Sequence, residues 1–304
     1  GERIPFPYDA RMLFGLGLPQ TRIDWVSDCL RRHRACHFGK TREPHYFDTR
    51  NGILPVIAHR RLKTTQQLAT RMQAEAGETQ RNTLRLLREV SDLAAIHAAP
   101  EDGPDRHKAY LDYILTGRKT QPVVCDITPS YCLLGADTLK EMAGIGWARF
   151  VCVLRDPADR LWAQIWDSLP KQTRTLEDAR DIAEQLIRSP ERLIAYPEAD
   201  YGRLFRALEE LDAPDRICWL FHEELGTRES LRQLCDFLDI PNVPTVSMPP
   251  LPEQAEPEMP PAVSAALRAA LAPQYKAART KFDTRLPEEW SREQKQNSSD
   301  IRSN

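Results

Sequence analysis

Apolar residues along the chain gather into a few short, nearly unbroken runs, and each run is followed by a stretch with helical spacing. Residues 11–17 (RMLFGLG) stop near Pro19 and read as a buried strand; residues 24–34 then place Trp25, Val26, Cys29 and Leu30 on one side of a helix. Residues 122–127 (PVVCDI), 148–154 (ARFVCVL) and 216–221 (RICWLF) repeat the pattern, with helices expected at 136–143, 158–167 and 230–238. Strands that are apolar throughout, rather than alternating, must be buried on both faces. Separated by helices, they predict a three-layer α/β/α fold with a central parallel sheet.

Two longer helical regions lie between these units. Residues 63–97 are polar, with Leu68, Met72, Leu84, Leu87 and Leu93 along one side, and residues 176–211 hold two helices split near Pro190 and Pro197. Residues 241–261 carry eight prolines, which predicts an extended crossing segment. A last helix is expected over 262–282, then a polar, flexible tail over 291–304. The expected organisation is a single domain over 1–290 with helical insertions near 63–97 and 172–213, and no internal repeat.

Composition narrows the function classes. The 304 residues include 42 Lys and Arg against 44 Asp and Glu, a net charge of −2, which excludes a protein that binds nucleic acid by bulk charge. No run approaches the roughly 20 apolar residues of a membrane span. The start, residues 1–9, is polar and proline-broken, without a signal-peptide core. Seven cysteines are scattered with no CxxC pair, so neither a disulfide framework nor a zinc site is expected, and a cytoplasmic setting is. One local departure stands out: residues 11–42 hold seven basic side chains and two acids, Asp24 and Asp28. This excess is either a solvated helix face or the surround of an anion site.

In a parallel sheet, ligands sit at the carboxyl ends of strands, and the first strand-loop-helix turn is a natural phosphate site because helix N-terminal amides point at it. The loop here is Gly17-Leu18-Pro19-Gln20-Thr21-Arg22-Ile23-Asp24-Trp25. It lacks the GxxxxGK[ST] of a nucleotide kinase, which argues against that class. Arg22 can grip a phosphate with two parallel hydrogen bonds, or it is an ordinary surface arginine. A second anion-site pattern follows residues 148–154: Arg155 ends the strand, and Asp156-Pro157 starts a helix.

The run Arg155-Asp156-Pro157-Ala158-Asp159-Arg160 resembles the segment by which sulfotransferases hold the 3′-phosphate of 3′-phosphoadenosine 5′-phosphosulfate. There a strand leads into Arg-Asn/Asp-Pro, two residues and Arg, with Ser eight positions after the first Arg; Arg155 and Arg160 match, and Ala163 stands in the Ser place. The first loop resembles the family's Gly-x-Pro-Lys-x-Gly-Thr-Thr-x-Leu, with Gln20 in the Lys place, Arg22 in the Gly place, and Ile23 and Asp24 in the Thr-Thr places. Residues 40–48 (KTREPHYFD) resemble the Lys-Glu-x-x-Phe-Phe-Asp segment of bacterial and heparan-type members. Residues 126–131 (DITPSY) resemble Glu-Lys-Thr-Pro-x-Tyr, with Ile127 in the Lys place. Residues 221–225 (FHEEL) resemble x-Tyr-Glu-Asp-Leu, and Tyr275 with Leu286-Pro287-x-x-Trp290 resembles the end of the bacterial domain.

The resemblance covers about residues 11–290 in order. It implies the sulfotransferase version of the P-loop fold and transfer of a sulfuryl group from that donor to a hydroxyl or amine, with no metal. It implies donor contacts from Gly17, Leu18, Pro19, Gln20, Thr21, Arg22, Ile23, Asp24, Arg155 and Ala163, with Gln20 and Arg22 beside the leaving group. Glu43 is implied as the base, with His45 and His37 as alternatives. Thr128, Ser130 and Tyr131, with His45, are candidates to shape the pocket of a small-molecule or glycan acceptor, and Asp126 either orients a bound partner or caps the strand end. Trp162 and Trp166 either stack on adenine or pack in the core. Two lysines of the pattern are absent, at Gln20 and Ile127, which motivates a second reading: a relative that binds a nucleotide or a partner with little transfer. A homodimer through the inserted helices is a further expectation.

Overall fold

A computed structural model describes residues 4–98, 100, 102–103, 105–243 and 248–291. The tail expected to be flexible lies, from residue 292 on, outside the described residues, as do residues 244–247 of the expected extended segment. In chain order the elements are β1 (Arg11–Gly15), α1 (Ile23–Arg31), β2 (Cys36–Phe38), α2 (Phe47–Arg50), α3 (Pro55–Ala74), α4 (Gly77–Ala95) and α5 (Lys108–Leu115). There follow β3 (Val123–Ile127), α6 (Ala136–Ala143), β4 (Arg149–Leu154), α7 (Pro157–Ser168), α8 (Leu176–Arg188) and α9 (Tyr201–Glu209). The chain continues with β5 (Ile217–Phe221), α10 (Arg228–Leu238), α11 (Pro261–Ala270) and α12 (Ala272–Phe282). The strands form a central parallel sheet in the order β2-β3-β1-β4-β5, as expected for an α/β fold.

All four strands expected from the sequence are present, each shorter by one or two residues. The three-residue β2 is an addition: Cys36, His37 and Phe38 pair with Val123, Val124 and Cys125. The last helix is two helices. It breaks at Leu271, because Pro273 in the first turn of α12 has no amide to continue α11. The polar region expected over 63–97 is the pair α3 and α4, which begins earlier, at Pro55, and turns at Gly77, whose φ is +64°. No helix among the described residues is long and apolar enough to cross a membrane.

The chain packs as two compact units. One takes the described chain up to Leu16 together with Leu30–Phe150; the other takes Gly17–Cys29 and the described chain from Val151 on. The first unit is centred on rings: Phe14 lies edge-on to Phe47 at 5.6 Å and stacks on Phe150 at 5.8 Å, and Tyr46 stacks on Tyr110 at 4.4 Å. Gly15 is required beside Ile127, its partner across the β1–β3 ladder, because a Cβ there would lie 2.6 Å from Ile127 Cγ2. The second unit buries Leu161, Trp162 and Ile165 of α7 against Ala179, Ala183 and Leu186 of α8 and Val263 and Leu267 of α11. Helix starts follow capping chemistry: Asp156 caps α7 ahead of Pro157, Thr175 and Asp178 form a capping box on α8, and Thr227 caps α10.

Candidate functional site

The second unit carries the loop after β1. Gln20 and Arg22 both adopt left-handed backbone, φ +67° and +63°, so the arginine at the family's Gly place holds a conformation that glycine takes without strain. The loop is braced from inside. Thr21 Oγ1 donates to the Leu18 carbonyl at 2.5 Å, Arg155 Nη1 to the Gln20 carbonyl at 3.1 Å, and Arg160 Nη1 to the Pro19 carbonyl at 3.4 Å. A Cβ on Gly17 would lie 2.4 Å from Ile23, so glycine lets the loop close onto the first turn of α1. Leu18, Thr21 and Ile23 are buried, Asp24 is exposed, and the Gln20 amide donates to Asp167 Oδ2 at 3.2 Å.

Arg22 is half-buried, and its side chain makes no hydrogen bond or ion pair among the described residues. Burial, and next the charge of Arg155, lower its pKa, with Glu256 and Glu223 opposing. Beside it His222, in the Tyr place of its motif, is buried and its Nδ1 has no hydrogen-bond partner among the described residues. Burial, and then the charges of Arg155 and Arg22, push its pKa down to about 3, so it stays neutral. Arg155 is itself engaged: its Nη2 meets Glu256 Oε1 at 2.5 Å, with Arg155 buried and Glu256 partly buried. Arg160 is fully buried and donates to Gln164 Oε1 at 2.8 Å, so it supports the loop from behind. Ala163 is 4% exposed and supplies only a methyl.

The C-terminal motif anchors this unit. Tyr275 donates to Asp156 Oδ1 at 2.5 Å, and Trp290 Nε1 donates to Glu223 Oε1 at 3.0 Å, the oxygen that also accepts the Asp156 amide. Trp162 is in the core, donating to the Pro257 carbonyl, which corrects the alternative of an adenine stack; Trp166 lies under Arg174 at 4.5 Å.

The first unit carries the second half of the candidate chemistry. His45, with φ +53°, puts Nε2 2.9 Å from Glu43 Oε2 and Nδ1 2.6 Å from Asp48 Oδ2; Ser130 Oγ donates to the same Asp48 oxygen at 2.6 Å. Burial pulls the His45 pKa down, but the hydrogen bonds and charges of Asp48 and Glu43 outweigh it and raise it to about 9. Asp48 is fully buried; burial pushes its pKa up, and hydrogen bonds from His45 and Ser130 outweigh that and lower it. At neutral pH the array therefore sets one imidazolium between two carboxylates. Asp126 and Thr128, expected near an acceptor, are buried instead. Asp126 accepts from Thr128, Tyr110 and Tyr131, and burial raises its pKa to about 6 against those bonds. They shape the loop that presents Ser130. His37 is buried, with Nε2 2.9 Å from the Ile114 carbonyl, which makes it structural rather than a base. Ile127, in the Lys place, packs on Gly15.

Sequence reasoning missed what holds Glu43. Arg61 of α3 donates to the carbonyls of Pro44 and Glu43 and, at 2.8 Å, to His97 Nε2. Burial, and then Arg61, lower the His97 pKa to about 4, so its Nδ1 carries the proton and donates to Thr49 Oγ1, which donates to the His45 carbonyl at 2.6 Å. These partners stand 18 and 54 residues from Glu43 and carry no local signal. Asp48 had one, as the last residue of the 40–48 run.

The array makes stability pH-dependent. The folded pKa of His45 is raised above its unfolded value, so its contribution is complete below about pH 6.5 and is lost as pH rises through about 9, with a ceiling of ~3 kcal/mol. We expect denaturant-unfolding free energies to fall over that alkaline window in the native protein, and the His45-dependent part of the fall to vanish in His45→Gln. Equal slopes in the two proteins would contradict the protonated array.

Comparison with known proteins gives the family and the fold. Residues 13–244 match the model of the sulfotransferase family, and the chain belongs to that family. A solved sulfotransferase from Alicyclobacillus acidocaldarius has the same fold, with a TM-score of 0.57 and 16% identity over 92% of this chain and 98% of that one. The sulfotransferase domain of the Synechococcus PCC 7002 olefin synthase is more distant, at a TM-score of 0.45 and 14% identity over 89% of this chain and 97% of that one. No curated protein matches the sequence.

Proposed function

We propose that the protein transfers a sulfuryl group from 3′-phosphoadenosine 5′-phosphosulfate to a hydroxyl or amine of a small-molecule or glycan acceptor. The observation that carries this is Arg22, a guanidinium without a partner among the described residues, in the loop after β1 of a sulfotransferase-family chain. The acceptor oxygen or nitrogen attacks sulfur in line, its proton passes to Glu43, and the bond from sulfur to the bridging phosphate oxygen breaks. The electron pair leaves with the phosphate, whose charge Arg22 stabilises. His45 holds Glu43 in place, and Arg61 holds the backbone on either side of the Glu43–Pro44 bond.

Adenosine 3′,5′-bisphosphate, the product, is expected to raise the melting temperature, since saturation at about 100 times Kd adds ~2.7 kcal/mol. Arg22→Ala is expected to abolish the shift. Transfer of radiolabelled sulfate across a panel of hydroxyl and amine acceptors then tests turnover. No shift at millimolar nucleotide overturns the donor reading. Binding without turnover favours the second reading, a nucleotide- or partner-binding relative, for which Gln20 and the packed Ile127 are the supporting observations.

A further inference from the structure

The proline-rich segment over 248–260 is pinned to the second unit along its length. Trp25 Nε1 donates to the Pro249 carbonyl at 2.9 Å and Trp162 Nε1 to the Pro257 carbonyl at 2.8 Å. Both indoles are buried, Leu251 packs where Gly226 leaves room, and Met259 packs on the core around Trp162. Between the two anchors the segment delivers Glu256 to Arg155. Two N–H donors of the Arg155 guanidinium are thereby engaged, one terminal nitrogen on the Gln20 carbonyl and the other on Glu256, whose side chain is only 10% exposed. Gln254 Nε2 adds a hydrogen bond to the same Glu256 oxygen at 3.2 Å.

Resting on the donor reading above, we propose that Glu256 is a specificity-determining residue of the donor site. Its carboxylate occupies the arginine that would receive a 3′-phosphate, and so removes the advantage of a 3′-phosphorylated nucleotide over one with a free 3′-hydroxyl. A phosphate reaching Arg155 has to displace a partly buried carboxylate and leave it without its guanidinium beside a like charge, a cost that offsets the attraction between phosphate and guanidinium. The displaced group is tethered at two points, so its effective concentration at the arginine stays high. Ala163 points the same way, because no hydroxyl at that position completes a phosphate cradle.

The test is calorimetric and needs no turnover. Adenosine 3′,5′-bisphosphate and adenosine 5′-monophosphate are titrated into the native protein, Glu256→Gln, Glu256→Ala and the exposed control Glu253→Ala. In the native protein and the control, the two nucleotides are expected to bind within about threefold of each other; freeing Arg155 for a charge-assisted bond to phosphate in Glu256→Ala is expected to favour the bisphosphate by about tenfold or more. Glu256→Gln, which keeps the shape and loses the charge, is expected to fall between and secures the result should the alanine variant fold poorly. A merely structural role would weaken both nucleotides alike and leave their ratio unchanged. An unchanged ratio, or a native preference already above about thirtyfold, overturns the proposal while the donor reading stands. If neither nucleotide binds any of the proteins, the donor reading fails and this proposal with it.

Discussion

Glu43→Gln is expected to lower sulfuryl-transfer turnover by about 10²–10⁴-fold, with nucleotide affinity unchanged. The substitution isolates the proton-accepting role. A glutamine oxygen in the same place still accepts the hydrogen bond from His45 Nε2, so the 2.9 Å contact survives and the fold has little reason to change. What disappears is a carboxylate able to take a proton from the acceptor. The same substitution removes one of the two charges that raise the His45 pKa, so the alkaline limb of the stability profile is expected to move to lower pH. These two readouts separate Glu43 from His45 as base. If the imidazole were the base, turnover would rise through the His45 pKa of about 9 in the native protein, and Glu43→Gln would shift that rise downward instead of erasing the rate. A pH–rate profile of both proteins decides between them.

Much of the fold was legible because buried parallel strands are apolar throughout and two of the helices that follow them, α7 and α10, start on side-chain caps. Residues 148–154 and the Asp156-Pro157 start of α7 needed nothing beyond local chemistry. The exceptions have physical causes. β2 is three residues long and includes His37, too short for any periodicity, and it exists because β3 offers it an edge. The break at Leu271 hangs on one proline inside an otherwise helical pattern.

The candidate site was legible only in part, and through resemblance. Glu43 and Arg155 came from the order of short motifs. Their surroundings did not, because a motif names a residue and not its partner. Nothing local in Pro-Glu-Gln-Ala-Glu-Pro says that Glu256 meets an arginine 101 residues upstream, or that Arg61 binds the backbone at Glu43 and Pro44. The burial of Asp126 and Thr128 was likewise hidden, since a carboxylate with three donors around it and one facing an acceptor have the same sequence.

Restoring the missing lysine is expected to raise turnover, but only if its new partner is removed as well. Gln20 occupies the place where the family carries a lysine, and its amide is turned to Asp167 at the end of α7. A lysine introduced there alone is drawn to that carboxylate, and a partnered ammonium lends little charge to a departing phosphate. Gln20→Lys is therefore expected to change turnover by less than about threefold. Combined with Asp167→Asn it is expected to raise turnover about a hundredfold or more, the typical worth of one well-aimed group stabilising transition-state charge. Asp167 is exposed, so its replacement carries little folding cost, and Asp167→Asn alone serves as the control. Rates from the two single variants and the double variant form a cycle, and the coupling between positions 20 and 167 is the quantity that matters. A large increase from Gln20→Lys alone would show that Asp167 does not hold the side chain. No increase in the double variant would place the leaving-group charge on Arg22 alone, whose guanidinium already stands in the loop without a partner among the described residues.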